Sequence, residues 1–435
     1  MPLTYHLRDN KTPGHSRYKY RYRYKYRHNY RSIVKRENII LWGIPLSITI
    51  LAGILIASTQ RQAEYVEWYH HWITGIIGTE IALYIARIPL ERWKSMLAMI
   101  YGVTVISLIG VRFIGTSALG AQRWISIAGF HIQPSEFAKI AIILLVAGVL
   151  SERPPKCFAD VLFPSGVIAL PWLLVFIQPD LGTSLVFGVI LLAMLFWSGM
   201  RLLWILVLFF PLISAILATT LPMILLAWIP ISGSIVRNFL KLKRTGSIIV
   251  MIIQGVTATI APYLWIYGLK DYQRERLLLF IDPNADPFGG GYHLLQSKVG
   301  VGSGGLFGTG LMHGELTKLQ FIPEQHTDFI FSALGEETGF VGSVFLVTSF
   351  ALFIWRLIQI AGNARTEFES LVVVGIAAML MFEVFVNINM TIGLGPITGI
   401  PLPWMSYGRS AIIANFLSLG LCASVARRSQ RSSNW

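Results

Sequence analysis

Leu202–Val236 reads LLWILVLFFPLISAILATTLPMILLAWIPISGSIV, and the number of times this stretch crosses a membrane sets the side on which everything after it lies. It carries no Asp, Glu, Lys or Arg, and it is interrupted by Pro211, Pro222 and Pro230. A helix needs about 20 apolar residues to cross the hydrocarbon core. The stretch is therefore one long broken span or a hairpin of two. Its flanks decide between them, because Lys and Arg favour cytoplasmic loops. With the N-terminus inside, a hairpin places Arg237–Arg244 (RNFLKLKR) inside. The loop 87–94, Arg153 and Lys156, Arg201, and the C-terminal Arg427, Arg428 and Arg431 then lie on that side too. A single crossing would put Arg237–Arg244, Arg356, Arg365 and the C-terminal arginines outside. The hairpin is the better reading, and it makes the long segment 269–338 extracytoplasmic.

Working outward, the same hydropathy extends over most of the chain. Of the 435 residues 54% are hydrophobic and 13% charged, against about 25% charged in a soluble domain. Apolar runs fall at 39–58, 71–89, 93–114, 135–151, 161–178, 183–200, 202–218, 219–236, 248–268, 339–357, 370–393 and 409–426. Runs of this length exclude a soluble core and lack the ten-residue alternation of a membrane barrel. The expected class is an all-α polytopic membrane protein with 10–12 transmembrane helices and a large extracytoplasmic re-entrant loop. Ten is the runner-up count, with two segments lying flat or re-entrant and the same sidedness. About forty polar residues precede the first apolar run, so no cleavable signal peptide is expected. Cys157 and Cys422 suggest neither a disulfide framework nor a metal site.

The formal net charge is +14, and residues 1–37 hold eleven Lys/Arg against two acids. Tyr18–Arg31 alternates aromatic and basic residues (YKYRYRYKYRHNYR). This tail reads as a cytoplasmic, disordered arm lying on anionic lipid. The rival reading is an arm that stacks bases and pairs phosphates; the lipid reading is preferred and no nucleic-acid partner is expected. Residues 38–428 form the membrane domain, and 429–435 a second cytoplasmic tail.

Polar residues appear where hydropathy does not require them. In GAQRWISIAGFHIQPSEFAK (120–139), Arg123 and Trp124 are an interfacial anchor or a site pair. Glu136 and Lys139, three apart on one helical face, form a structural ion pair or line a cavity holding charged substrate. In QPDLGTS (178–184), Asp180 is a helix cap or a substrate contact. YQRERL (272–277) puts Arg274 and Arg276 at the outer face, where they and Lys298 could pair with a diphosphate. The Gly-rich stretch 289–310 is a phosphate cradle or a turn-rich structural loop. FIPEQHTDFIF (321–331) concentrates Glu324, His326 and Asp328 at the edge of an apolar run, and such a cluster usually marks a functional site. On a helix starting near Thr327, Asp328, Ser332, Gly335 and Glu336 share a face. A lone Asp on that face suits a general base, and the rival reading is a helix-dipole carboxylate. Asn387–Ser410 (NINMTIGLGPITGIPLPWMSYGRS) is a Gly/Pro-rich outer break, with Asn387 and Asn389 as buried polar candidates.

The ordered segments QPSEFAK, QPDLGTS, YQRERL, GGGYHLLQS, FIPEQHTDFIFSALGEE and GLGPITGIPLPWMSYG resemble the SEDS family (shape, elongation, division and sporulation) over about 39–426. The wording is nearer its elongation branch than its division branch. Two departures stand out, Gly408-Arg409-Ser410 for a usual Gly-Gly-Ser and Gly314-Glu315-Leu316 for a usual Gly-Thr-Gln. The resemblance implies a peptidoglycan glycosyltransferase polymerising lipid II outside the membrane. It would work with a class B penicillin-binding protein and the elongation machinery. Asp328 would be the essential Asp, and Glu136, Lys139 and Arg123 the functionally important motif residues. Asp180, Arg274, Lys298, His326 and Ser410 complete the expected substrate-binding set. An α-linked donor and a β-1,4 product mean inversion in a single displacement, with Asp328 taking the acceptor proton. Lys139, Arg123, Arg274 or a Mg²⁺/Mn²⁺ ion would offset charge on the leaving diphosphate. No organic cofactor is expected. The rival functions are a lipid II flippase, a division-type polymerase or a non-catalytic scaffold.

Overall fold

A computed structural model describes residues 30–59, 68–118, 121–127, 130–156, 158–240, 244–282, 286, 289–319, 321 and 324–432. Most of the basic N-terminal arm, Cys157 and the final three residues lie outside this set. Helical backbone begins at Tyr30, within the segment read as tail.

The described chain is helical apart from three short strands. In order it forms α1 (Tyr30–Thr59), α2 (Tyr69–Ile85), α3 (Leu90–Ser95), α4 (Leu97–Ile114), β1 (Thr116–Ala118), β2 (Ala121–Ile127) and β3 (Phe130–Ile132). Then follow α5 (Pro134–Glu152), α6 (Leu162–Ile177), α7 (Leu181–Trp197), α8 (Leu202–Val207), α9 (Phe210–Thr220), α10 (Pro222–Phe239) and α11 (Arg244–Tyr263). The chain closes with α12 (Asp271–Ile281), α13 (Gly290–Ser303), α14 (Glu315–Lys318), α15 (Ile330–Gly362), α16 (Glu367–Thr391) and α17 (Arg409–Ser432). Ten of the described helical segments are long and apolar enough to cross a membrane. Leu202–Thr220 and Pro222–Phe239 are two of them, so the opening stretch forms the hairpin, turning at Leu221–Pro222. Two further apolar segments expected to span, α2 and α7, are helices of 17 residues, at the lower limit for crossing.

Local chemistry explains the helix starts. Pro134 opens α5, where its missing N–H costs nothing. Asp180 caps α7 by accepting the Thr183 N–H, and the Thr366 hydroxyl accepts from Glu369 N–H at the head of α16. The strands form an antiparallel meander, β1-β2-β3, whose register pairs Thr116 with Trp124 and Ile125 with Ile132. The β-branched alternation of ISI in β2 suits a half-buried strand. These strands qualify the all-α expectation for the loop that carries Arg123.

The core is α5, α16 and α17. Their membrane-length windows are 83%, 72% and 83% buried, against 17–28% for α4, α6, α9, α10, α11 and α15. Helices α8–α11 build a satellite around Val207, Phe210, Val236, Leu240 and Val250. At its centre the Ser214 and Ser232 hydroxyls each donate to Gln254 Oε1 at 3.0 Å, and Trp228 Nε1 donates to Ser214 at 3.1 Å.

The segment after α11 folds as short helices laid on the bundle. Its glycines resolve in favour of a structural loop. A Cβ on Gly304 would lie 2.0 Å from Gly335 O, and one on Gly308 2.1 Å from Glu337 O. Only glycine lets the two backbones approach so closely. Across this contact Phe340 and Val341 N–H donate to Gly305 and Leu306 O, and Thr309 and Gly310 N–H donate to Glu336 and Glu337 O. Gly339, at φ 66°, breaks α15 at the same place. Helix α15 thus has a short outer piece, 330–338, and a membrane-length piece beyond it.

Candidate active site

Asp328 lies in the turn 324–329, ahead of α15. The expectation of a helix from near Thr327 is corrected here: helical backbone starts at Ile330, so Asp328 does not share a helical face with Ser332, Gly335 and Glu336. Glu324, at φ 53°, reverses the chain, and its carbonyl accepts the Thr327 and Phe329 N–H groups. This delays the helix. Glu336 faces elsewhere. Its carboxylate accepts Leu316 N–H at 2.8 Å, Thr317 N–H at 2.9 Å and the Thr317 hydroxyl at 2.6 Å, fixing α14.

The Asp328 turn is held by its carbonyls. His326 O accepts from Tyr407 N–H (2.9 Å), Thr327 O from the Ser406 hydroxyl (2.6 Å) and Asp328 O from Asn387 Nδ2 (3.0 Å). Asn387 Nδ2 also donates to Ile400 O at 2.8 Å. The outer break after α16 is therefore the second wall of the site. At its bend Gly399 adopts φ 70°, and a Cβ there would lie 3.3 Å from Arg276 Nη1 and 3.5 Å from Asp328 Oδ2. The glycine leaves room for both charged groups to face each other.

Burial raises the Asp328 carboxyl from 3.8 to about 6. Arg276 opposes that rise first, Glu324 adds to it, Arg123 opposes it and Asp180 adds to it. Burial also holds His293 and His326 below the usual range, against the pull of Glu324. Both imidazoles are thus neutral at pH 7, and the positive charge facing Asp328 belongs to arginine. A half-buried carboxyl with a raised pKa, beside fixed cations, can take a proton and steady a leaving anion.

The other predicted residues divide. Arg123 reaches over the start of α7, donating to Pro179 O and lying 3.8 Å from Asp180 Oδ1. Asp180 also accepts from Thr183 Oγ1 (3.0 Å) and Gln133 Nε2 (3.3 Å), so it caps the helix and lies beside Arg123. Arg274 turns to Asp271, and Arg276 is the arginine at Asp328. Exposed Lys298 runs along Gly393. Ser410 Oγ accepts Gln133 N–H at 2.9 Å and donates to His131 O at 3.2 Å, joining α17 to the head of α5. The His326 ring stands edge-on to Tyr407, with centroids 6.0 Å apart.

Glu136 and Lys139 do not line an open cavity. Lys139 Nζ donates to Glu136 Oε2 at 2.9 Å and to Glu383 Oε1 at 2.5 Å, with side chains 1–4% exposed. Glu383 was not singled out from sequence; its signal is a lone acid in the middle of the apolar run 370–393. Gly399 and the pairing of Arg276 with Asp328 were also not apparent. The expected Mg²⁺ or Mn²⁺ finds no group of three or more His, Cys, Asp or Glu arranged to hold a metal among the described residues.

A family profile described as "Cell cycle protein", covering FtsW, RodA and SpoVE, matches residues 36–240 and 239–431. The chain belongs to this family. It is 36% identical over 350 residues to the peptidoglycan glycosyltransferase MrdB of Escherichia coli strain K12, covering 80% of this chain and 82% of the relative. To the peptidoglycan glycosyltransferase RodA of Treponema pallidum strain Nichols it is 34% identical over 395 residues, covering 83% and 90%. Its fold is similar to a solved chain of a peptidoglycan synthase complex that couples polymerization to crosslinking. There the TM-score is 0.65 at 26% identity, over 89% of this chain and 97% of that one.

Proposed function

We infer that this chain is a rod-shape peptidoglycan glycosyltransferase of the membrane, extending glycan strands from lipid II by direct inversion, with Asp328 as general base. The observation that carries the assignment of the base is the carboxyl pushed to about 6 and set against Arg276 across the open bend of Gly399. A carboxyl with that pKa is ionised at neutral pH and is a better proton acceptor than an ordinary Asp. The acceptor 4-hydroxyl approaches Asp328 and gives up its proton as its oxygen attacks the anomeric carbon. The bond to diphosphate breaks on the opposite face, and the proton rests on Asp328. Arg276 and Arg123 are the cations placed to offset the charge gained by the diphosphate.

In this reading both termini and the basic loops are cytoplasmic, and residues 269–338 with the Asp328 turn face outward, where lipid-linked disaccharide is available. The partner is a class B penicillin-binding protein that crosslinks the product; the likeness to a chain of a peptidoglycan synthase complex supports this. The test is Asp328→Asn in full-length protein with its partner and labelled lipid II. The expected result is loss of glycan ladders with expression, melting temperature and partner binding retained. Near-normal ladders would remove Asp328 from the base role. Transbilayer movement of lipid II without chain growth in the parent protein would favour a flippase, and neither activity a scaffold.

A further inference from the structure

We propose that Asn387 is the positioning residue for Asp328, anchored in turn by the buried Glu136–Lys139–Glu383 cluster one turn away on α16. The inference rests on the base role given to Asp328 above.

Both walls of the site are irregular backbone, and each needs a fixed reference. Ser406 and Tyr407, which hold Thr327 O and His326 O, belong to the same outer break as Ile400, so those bonds tie loop to loop. Asn387 differs because it stands on α16, in the enclosed core of the bundle. Its amide donates to Asp328 O at 3.0 Å and to Ile400 O at 2.8 Å. Ile400 follows Gly399, the residue that faces Asp328 Oδ2 and Arg276. One side chain therefore sets the spacing between the carboxylate and the wall opposite it. Asn387 is fully buried, and its Oδ1 has no partner among the described residues, so the orientation of the amide is set by its two donated bonds.

The amide can position Asp328 only if α16 is itself fixed. Glu383 is four residues earlier and so lies on the same face. Its carboxylate takes Lys139 Nζ at 2.5 Å, and Lys139 also reaches Glu136, so α5 and α16 are locked by charges withdrawn from solvent. Breaking such a cluster leaves an uncompensated buried charge, which is strongly unfavourable. This gives Glu136 and Lys139 a purpose that does not need contact with substrate.

The test compares the parent protein, Asp328→Asn and Asn387→Leu, full length with partner, on labelled lipid II. Leu is close in size and donates nothing. A displacement of about 1 Å at a reacting group costs on the order of 100-fold in rate. The expected result for Asn387→Leu is a fall in kcat of about 30- to 100-fold with KM within about threefold. The acid limb should also move below about 6, because a displaced carboxyl becomes better hydrated. The charged groups facing Asp328 are Arg276, Glu324, Arg123 and Asp180, all unchanged in this variant. Glu383→Gln is expected to give the same pattern more weakly. Where Asn387→Leu does not fold, Asn387→Ala, which likewise donates nothing and adds no charge, is read in its place. A folded variant with the parent kcat and acid limb overturns the proposal. Loss of folded protein in both variants does so too, by making Asn387 a packing residue. If Asp328→Asn retains activity, the base assignment fails instead, and that outcome is separate from either result at Asn387.

Discussion

Replacing Arg276 with Gln should move the acid limb of the polymerisation rate to higher pH. A Cβ on Gly399 would be 3.3 Å from Arg276 Nη1 and 3.5 Å from Asp328 Oδ2, so the two charges are at most about 7 Å apart. At an effective dielectric of about 20, unit charges at about 7 Å attract by roughly 2.4 kcal/mol. With 1.36 kcal/mol per pKa unit, that is about 1.7 units at this outer distance, before screening. Arg276 is partly exposed, and solvent screening reduces the effect to about one unit. The sign follows from the base role. Asp328 acts when ionised, Arg276 favours the ionised form, and its loss raises the pKa from about 6 to about 7. At pH 6 the rate should fall several-fold relative to its own plateau, and the ratio should recover by about pH 8.5. Arg276 also faces the expected path of the diphosphate, so a lower plateau is compatible with the argument; the position of the limb is the readout. The assay is lipid II polymerisation by the purified complex over about pH 5 to 9. A limb that stays near 6, with the rate lowered equally at every pH, would show that Arg276 does not tune Asp328.

Other consequences follow from single contacts. The parent enzyme should lose activity as pH falls through about 6, because protonation of Asp328 removes the base; a flat profile down to pH 5 would contradict this. Gly399→Val places a side chain between Arg276 and Asp328 at φ 70°, so polymerisation should fall by at least about 100-fold, with backbone strain of only about 1–2 kcal/mol in a thermal melt. Glu336→Ala strips the acceptor from Leu316 N–H, Thr317 N–H and the Thr317 hydroxyl, and should destabilise the outer loop by about 2–4 kcal/mol by denaturant titration or hydrogen exchange. Gln254→Leu removes the shared acceptor of Ser214 and Ser232; a loss of about 1 kcal/mol in the satellite, with catalytic rate within about twofold, is the expected result.

Much of the fold was legible because hydropathy and basic loops are local signals. The three prolines and the RNFLKLKR flank of the opening stretch were enough to choose a hairpin over a single span. The meander around Arg123 was less visible, since QRWISI is short and lies between Gly120-Ala121 and Ala128-Gly129. Within the site, Asp328 stood out as a charge at the edge of an apolar run, but its geometry did not. Helical spacing put it on a face with Glu336, whereas the left-handed backbone at Glu324 holds the turn open and sends the two carboxylates to different places. That conformation has no sequence signature at a glutamate. Glu136 and Lys139 were recognisable as a pair at i and i+3, but Glu383, 244 positions from Lys139, could enter only through tertiary packing. The Gly-rich stretch 289–310 offered two readings, and the backbone contacts of Gly304 and Gly308 favour the structural one.

The 17-residue length of α7 has a bearing on how substrate arrives. At about 1.5 Å per residue it spans about 25 Å, several ångströms less than a typical hydrocarbon core of about 30 Å. The helix starts at Leu181, directly after Asp180 and the carbonyls that hold Arg123, and Leu185 and Phe196 are each more than half exposed on its outer surface. A bilayer meeting so short an apolar wall thins beside it, since hydrophobic mismatch is relieved by deforming lipid. Such a depression would lie on the flank of the protein that carries Arg123 and Asp180. A lipid-anchored sugar diffusing in the outer leaflet would there ride lower than elsewhere, with its diphosphate brought down to the level of the arginines while its hydrocarbon tail stays in the membrane.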